Sequence, residues 1–415
     1  MEEFPVELED RIVVHRGLIA DGLAGQDEAG LVDDYCRSLR ERGFPLTRFS
    51  VGAQILHPLH EGRSIVWREG EDLSMEFHSP IPVGEMSVDW ERSPFRALIE
   101  GEQDEIRRRL DSNSFDPEEF SLLEDFRNQG MTDYLALRVA YRRESTLGGP
   151  YGVVMSYVTD RTGGFPDIDI EALRELSRTF SLSFRAMAEV FTGRTLMRTY
   201  VGGDAARRII EGAIRRGHAE SLNAVLWYSD LRGFTRIADT VAREELMPLL
   251  NDYAECQVDA VTSHGGEVIK FMGDGMLAMF EASDQPAACR AALDAAILAR
   301  SSTMQLTERR KRAGLPTTGI YLGLNLGEVL YGNIGSSQRL DFTVIGPTVN
   351  EVARIVSMCR ALDQSLVISS AFARACPDGD RRLVSLGRYA LRGVSRPQEL
   401  FTLDIEAALN GPSAA

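Results

Sequence analysis

Cysteine is scarce in this 415-residue sequence, and its pattern argues against two common kinds of site. Five copies are present, an odd number, and they are widely spaced and never arranged as C-x-x-C. Neither a disulfide framework nor a zinc site is indicated by such a pattern. We expect reduced thiols packed in the core, at Cys36, Cys256, Cys289, Cys359 and Cys376.

Long hydrophobic runs are also missing. No stretch approaches 18 uninterrupted apolar residues, and the start of the chain has no basic segment followed by an apolar one. Membrane-spanning helices and secretory signals need those features. The sequence therefore predicts a soluble protein that is located in the cytoplasm and does not bind a membrane.

Positive charge is in short supply. The chain has 46 Lys and Arg against 62 Asp and Glu, a net charge of -16. A surface of that sign repels a phosphate backbone, so nucleic acid is not an expected partner. The longest basic run, 309–312, is interpreted as the solvated end of an amphipathic helix, where cations complement the helix dipole.

The length suits two domains and a connector. Residues 6–40 carry apolar side chains at helical spacing, which predicts two opening helices. Between 46 and 155, short apolar or alternating runs are separated by Gly, Pro and Ser, which predicts a mostly antiparallel sheet flanked by helices. The predicted strands are 48–56, 63–67, 135–141 and 151–157. This arrangement resembles a GAF-type or PAS-type sensor module, with an unknown small molecule or protein as its signal.

A long helix is predicted to follow. Apolar residues step by three or four positions through Leu173, Leu176, Phe180, Phe184, Met187 and Phe191. Such a stripe suits a parallel coiled coil between two chains, and the alternative is a helix packed back on its own domain. We divide the chain into a sensory domain (1–165), a connecting helix (166–200), a transducer segment (201–220), a catalytic domain (221–405) and a flexible tail (406–415).

Two acidic residues stand out in the C-terminal half. Asp230 follows a buried strand, 223–228, and precedes a glycine-containing turn into a helix, which places a carboxylate beside free backbone N–H groups. Asp274 lies at the tip of a hairpin, between Gly273 and Gly275. If hairpin and strand are neighbours, the two carboxylates converge and can bridge two divalent ions about 4 Å apart.

These residues carry a family resemblance. The run 228–235, the Gly-Asp-Gly hairpin and the later run 342–354 resemble the three hallmarks of class III adenylyl and guanylyl cyclases, in the same order and spacing. The resemblance implies a ferredoxin-like βααβ catalytic core, so the whole chain is expected to be α+β. It also implies ATP as the partner, two Mg²⁺ or Mn²⁺ ions per active site, and attack of the ribose 3′-hydroxyl on the α-phosphorus.

Residue roles follow from the resemblance. It implies that Asp230, Leu231 and Asp274 hold the metal ions, that Asn350 orients the ribose, and that Arg354 stabilises the pentavalent phosphorus. Residues four apart on a helix share one face, so this amide and this guanidinium can act together. Substrate contacts are expected from Phe234, Thr235, Arg339 and Arg392, although each arginine could equally be a surface charge. Pro347 stands where an acidic residue is usual, and we expect it to begin the helix.

The base is expected to be read by Lys270 and Thr343. A lysine donates to adenine N1, whereas guanine N1 carries a proton. The Lys and Thr pair resembles class IIIb adenylyl cyclases, which favours ATP as the substrate. The family builds its site from two chains, so a homodimer with two sites is expected. The alternatives are a guanylyl cyclase and a catalytically silent module that only binds nucleotide or dimerises.

Overall fold

A computed structural model describes residues 8–80, 88–141, 152–376, 382–394 and 397–404. The tail predicted for 406–415 lies outside them. The chain divides into two compact units, Met1–Leu196 and Met197–Ala415. No helix in the described ranges combines the length and apolar character that crossing a bilayer requires.

The first unit is a six-stranded antiparallel sheet with helices on both faces. The strand order is β3-β2-β1-β6-β5-β4. Its helices are α1 (Leu8–Ala24), α2 (Glu28–Glu41), α3 (Val88–Glu91), α4 (Pro94–Glu100), α5 (Ser121–Asn128) and α6 (Asp167–Val201), the last of which runs on into the second unit. Its strands are β1 (Arg48–Gln54), β2 (Gly62–Arg68), β3 (Ser74–His78), β4 (Glu105–Arg109), β5 (Asp133–Ala140) and β6 (Gly152–Thr159).

The two opening helices and the four predicted strands are present, as α1, α2, β1, β2, β5 and β6. The strands β3 and β4 were not predicted. Both lie at the edges of the sheet. The sequence of β4, Glu-Ile-Arg-Arg-Arg, lacks apolar alternation, whereas β3, Ser-Met-Glu-Phe-His, alternates over only five residues and leaves Met75 and Phe77 exposed.

The apolar stripe of α6 faces the core of its own unit. Leu173, Leu176, Phe180, Phe184 and Met187 are at most 6% exposed and pack with α1, α2 and one face of the sheet. From Leu173 to Met187 the stripe therefore packs on its own domain, which is the alternative that the sequence left open; a coiled coil formed by the rest of the connecting helix stays a prediction. Helical spacing identifies a buried face but not what buries it.

The second unit is built on an eight-stranded sheet. Its strands follow the order β13-β14-β12-β10-β7-β9-β8, and β11 pairs with β10. They are β7 (Ala219–Leu231), β8 (Glu267–Met272), β9 (Gly275–Glu281), β10 (Ile320–Gly335), β11 (Leu340–Ile345), β12 (Leu366–Ser369), β13 (Leu383–Tyr389) and β14 (Gln398–Leu403). The helices are α7 (Gly203–Ile210), α8 (Phe234–Thr240), α9 (Arg243–Ser263), α10 (Gln285–Arg312), α11 (Pro347–Ala361) and α12 (Ser370–Ala375).

The centre of this sheet has the ferredoxin-like arrangement that was expected. The chain runs β7, α9, β8, β9, α10, β10, and these four strands lie in the order β10-β7-β9-β8. Helices α9 and α10 cover one face of the sheet, while α7 and α11 pack on the other. The mixed α+β class predicted for the chain is confirmed.

The basic run at the end of α10 is only partly the solvated end that was predicted. Arg309, Lys311 and Arg312 are exposed, but Arg310 is 5% exposed. Its guanidinium pairs with Asp252 of α9 and donates to the Pro316 carbonyl at 2.8 Å. Position in a charged run did not reveal that one arginine turns inward to join two helices and a loop.

The cysteines behave as predicted. Four of the five lie buried in the core, and Cys256 is partly buried.

Candidate active site

The carboxyl groups of Asp230 and Asp274 meet at one end of the central sheet. Strands β7 and β9 are antiparallel neighbours with Ser229 opposite Met276, so the residues just beyond this pair, Asp230 and Gly275, are also adjacent. The β8–β9 hairpin turns through Gly273 and Asp274, which brings the second carboxyl within hydrogen-bonding distance of the first. The predicted convergence is present.

Two glycines make this approach possible. Gly273 has φ +65°, a left-handed conformation that suits glycine in a tight hairpin. Gly275 has no room for a side chain, because an added Cβ would lie 2.6 Å from the Ser229 carbonyl oxygen and 3.6 Å from Asp230 Oδ1. In the Gly-Asp-Gly sequence, Gly273 therefore permits the turn and Gly275 permits the close contact with β7.

Burial and mutual repulsion change the protonation of the pair. Partial burial, reinforced by the hydrogen bond and charge of Asp274, raises the pKa of Asp230 from 3.8 to about 6, although a hydrogen bond from the Leu231 backbone opposes the rise. The pKa of the nearby Tyr228 is raised as well, by burial first and then by the two carboxylates. The site concentrates negative charge at neutral pH.

This donor set fits hard divalent cations. Oxygen ligands suit Mg²⁺ and Mn²⁺, and Mg²⁺ is commonly held by one or two carboxylates together with substrate phosphates. The described residues contain no group of three or more His, Cys, Asp or Glu side chains that could hold a metal. The two aspartates would thus need further oxygens from backbone, water or substrate. The buried Leu231 has a hydrocarbon side chain without a donor atom, so it could offer only its backbone carbonyl oxygen.

The turn after β7 leads directly into α8. Gly233 precedes the helix in the left-handed conformation, with φ +68°. Phe234 is partly buried and packs against the core between the sheet and helices α9 and α10, whereas Thr235 is exposed. Nearby, the Arg232 guanidinium lies 4.9 Å from the centre of the Tyr321 ring on β10.

The two predicted base-reading residues lie on different strands. Lys270 is in β8 and its side chain is 28% exposed, while Thr343 is in β11 and is 8% exposed. The Lys270 ammonium forms an ion pair with Asp341, which is two residues before Thr343 on the same strand. Sequence reasoning did not single out Asp341, although its i, i+2 spacing from Thr343 was a usable signal.

Asn350 and Arg354 share the outer face of α11. Both are exposed, whereas Val352, Ile355 and Val356 of the same helix are buried. Within the described parts of the chain, neither side chain hydrogen bonds to Asp230 or Asp274. The helix begins at Pro347, as predicted from the sequence. Within a single chain, Asn350 and Arg354 are therefore not bonded to the two aspartates.

The two remaining candidate arginines are surface residues. Arg339 lies in the β10–β11 hairpin, where its backbone pairs with Ser336. Arg392 follows Leu391 in an exposed turn. Neither placement assigns them a substrate contact.

The C-terminal unit matches a known family. Residues 218–404 match the family described as the adenylate and guanylate cyclase catalytic domain. An adenylate cyclase of Anabaena cylindrica is 27% identical over 215 residues, covering 50% of this chain and 42% of that protein. An uncharacterized protein of Mycobacterium tuberculosis is 31% identical over 242 residues, covering 58% of this chain and 41% of its own length. The chain thus spans about two-fifths of the length of these curated relatives.

Solved structures of two cyclases are similar to part of this chain. The adenylyl cyclase CyaB from P. aeruginosa is 26% identical with a TM-score of 0.42, covering 45% of this chain and 96% of that one. The guanylyl cyclase Cya2 is 30% identical with a TM-score of 0.40, covering 45% of this chain and 93% of that one. Together with the motif residues described above, the family match over residues 218–404 shows that the C-terminal unit of this chain contains a class III adenylyl/guanylyl cyclase catalytic domain.

Proposed function

We propose that this protein is an adenylate cyclase that converts ATP to 3′,5′-cyclic AMP and pyrophosphate. The observation that carries the proposal is the abutting pair of carboxyl groups, Asp230 and Asp274, built by a glycine hairpin against a neighbouring strand. Two acids forced together at the cost of a raised pKa are a frequent sign of a functional site.

In the proposed reaction, the ribose 3′-oxygen attacks the α-phosphorus, the bond to the β-phosphate oxygen breaks, and the hydroxyl proton is lost to solvent. Mg²⁺ or Mn²⁺ held by Asp230, Asp274 and the Leu231 backbone would lower the pKa of that hydroxyl and neutralise the triphosphate. Phe234 and Thr235, at the start of α8, are proposed to contact the triphosphate, with Arg339 and Arg392 as further cationic candidates.

Adenine is the proposed base because Lys270 offers a donor to an unprotonated ring nitrogen. Thr343, on the neighbouring strand, is proposed to contact the same edge of the purine. The family includes cyclases for both bases, so the preference for ATP depends on these two side chains.

A homodimer is proposed as the active form. Asn350 and Arg354 are exposed on α11, and among the described residues they form no hydrogen bond or ion pair with the aspartates of their own chain. A second copy facing them would supply the metal-binding carboxylates, and two-fold symmetry would create two equal sites.

The N-terminal unit is proposed to be a cytoplasmic sensor that controls the cyclase. Helix α6 leaves that unit and leads into α7, which packs on the cyclase sheet. Asp204 of α7 hydrogen bonds to Tyr331 of β10, and Arg208 pairs with Glu220 of β7 at 2.7 Å. A change in α6 would therefore be transmitted to strands that carry the site.

One assay tests the proposal. The purified full chain is incubated with Mn²⁺ or Mg²⁺ and either ATP or GTP, and cyclic nucleotide and pyrophosphate are both quantified. Cyclic AMP with stoichiometric pyrophosphate supports the proposal. Formation of cyclic GMP alone would identify a guanylate cyclase, and nucleotide binding without either cyclic product would identify a silent module.

A further inference from the structure

An ion pair joins two strands that are not hydrogen-bonded neighbours. Lys270 of β8 holds Asp341 of β11, while β8 pairs with β9 and β11 pairs with β10. The lysine side chain is 28% exposed and the aspartate side chain 53% exposed. An ion pair this exposed to water contributes little to the stability of the fold. We therefore look for a role of the pair other than stabilisation.

A β-bulge aims Lys270 at this partner. In the β8–β9 ladder, Val268 pairs with Ala278 but Lys270 pairs with Leu277, so Ile269 is an extra residue on β8. Bulges re-aim the side chains beside them and are frequent near active sites. Ile269 itself is 9% exposed and packs in the core, which fixes the direction of its neighbour.

Asp341 and Thr343 lie on one face of β11. Successive side chains of a strand point to opposite faces, so residues two apart share a face and lie roughly 7 Å from each other. Between them, Phe342 is 6% exposed and packs edge-on against Tyr331, with ring centres 4.7 Å apart. This contact fixes the orientation of β11, so Asp341 holds the Lys270 ammonium beside Thr343.

We propose that Asp341 is a positioning residue for purine recognition, which holds the Lys270 ammonium where it meets the base. The inference rests on the proposed nucleotide-cyclising function and extends it. A lysine side chain has several flexible bonds, and a free one would lose much of its rotamer entropy on binding. An ammonium has three donors, so one bond to Asp341 leaves others for the ring nitrogen. The ion pair with Asp341 also partly neutralises the Lys270 charge, which disfavours an ion pair between Lys270 and the triphosphate.

The test measures binding, so that it does not depend on turnover. The full chain with Mn²⁺ is titrated with 3′-deoxy-ATP and 3′-deoxy-GTP, which lack the attacking hydroxyl, and the ratio of the two Kd values is the readout. Asp341→Asn is expected to reduce the preference for adenine roughly 3- to 10-fold, the range for losing the preorganisation of one side chain. Asp341→Glu should recover part of the preference, and the exposed Glu399→Gln should leave it unchanged.

A double-mutant cycle decides whether Asp341 acts through Lys270. In a Lys270→Ala background, Asp341→Asn should change the Kd ratio no further. An unchanged ratio in Asp341→Asn alone, or a full additional loss in the Lys270→Ala background, would overturn the inference. If the wild type prefers guanine, the adenylate proposal is wrong. The inference about Asp341 is then still tested by whether Asp341→Asn changes the Kd ratio. Absence of any triphosphate binding would overturn both.

Discussion

Gly275 lies so close to Asp230 that an added Cβ would be 3.6 Å from the Asp230 carboxyl oxygen and 2.6 Å from the carbonyl oxygen of Ser229. A Cβ that near a backbone oxygen must push β9 away from β7. The spacing of the two acidic side chains thus depends on a residue without a side chain.

Gly275→Ala is expected to lower cyclase activity about 100-fold, because a displacement of about 1 Å at reacting groups has effects of that size. The measurement is the rate of cyclic AMP formation at saturating ATP and Mn²⁺. Gly17→Ala is the matched control, since its Cβ would meet nothing within 4 Å and it lies on an exposed part of α1. Near-normal activity in Gly275→Ala would contradict the described contact.

The protonation of Asp230 predicts how metal-free stability varies with pH. Its pKa is about 6 in the folded protein against 3.8 for an ordinary carboxyl, so the folded state binds this proton more tightly than the unfolded state. Stability from this group is therefore present below about pH 4 and is lost as pH rises through about 6. Asp274→Asn removes the repulsion, so the difference in melting temperature, variant minus wild type, should grow in favour of the variant between pH 4.5 and 7.5.

The same titration should control metal binding. Mn²⁺ must displace the proton, so the stabilisation that it gives to the wild type should increase from pH 5 to pH 8. Asp274→Asn should lose most of that stabilisation at every pH. Equal Mn²⁺ effects at pH 5 and pH 8 in the wild type would show that Asp230 is not a ligand.

Complementation between inactive variants tests the shared site. Asp274→Ala and Asn350→Ala chains should each be inactive, because each lacks one half of every site. Mixed after exchange of subunits, they should recover roughly a quarter of wild-type activity, since random pairing puts half the chains in mixed dimers with one intact site each. Mixed dimers that form, as judged by two affinity tags, and remain inactive would rule out the shared-site arrangement.

Arg310 and Arg309 give a matched pair for stability. Arg310→Ala removes the ion pair with Asp252 and the bond to the Pro316 carbonyl, and it should cost about 2 kcal/mol of unfolding free energy. Arg309→Ala, next to it and exposed, should change that free energy by no more than about 0.5 kcal/mol. Chemical denaturation of both variants provides the comparison, and equal losses would mean that Arg310 is solvated.

Asp204 tests the proposed control of the cyclase by its connector. Asp204→Ala releases Arg207, Arg208 and Tyr331, and it should lower the rate at saturating ATP roughly 3- to 10-fold, as expected for a residue that couples two elements. Glu211→Ala, at the exposed end of α7, is the control. An unaltered rate with Asp204→Ala would remove this contact from the signalling route.

The sequence predicted the cyclase unit well because its signals are local. A buried strand ending in Asp230 and a glycine hairpin carrying Asp274 are each readable within about ten residues, and the family resemblance supplied their pairing. The edge strands β3 and β4 were missed, β4 because its charged sequence has no apolar alternation and β3 because its alternation spans only five residues.

What the sequence determined by itself was the opening helices and the inner strands of the first unit, the class of the C-terminal unit and the choice of Asp230 and Asp274 as the acidic pair, since these depend on periodicity, turn chemistry and motif order. Only the tertiary structure decided what covers the stripe of α6, that Arg310 turns inward, and that Asp341 holds Lys270. The physical reason is that helical or strand spacing defines a face, while the partner of that face comes from a distant part of the chain.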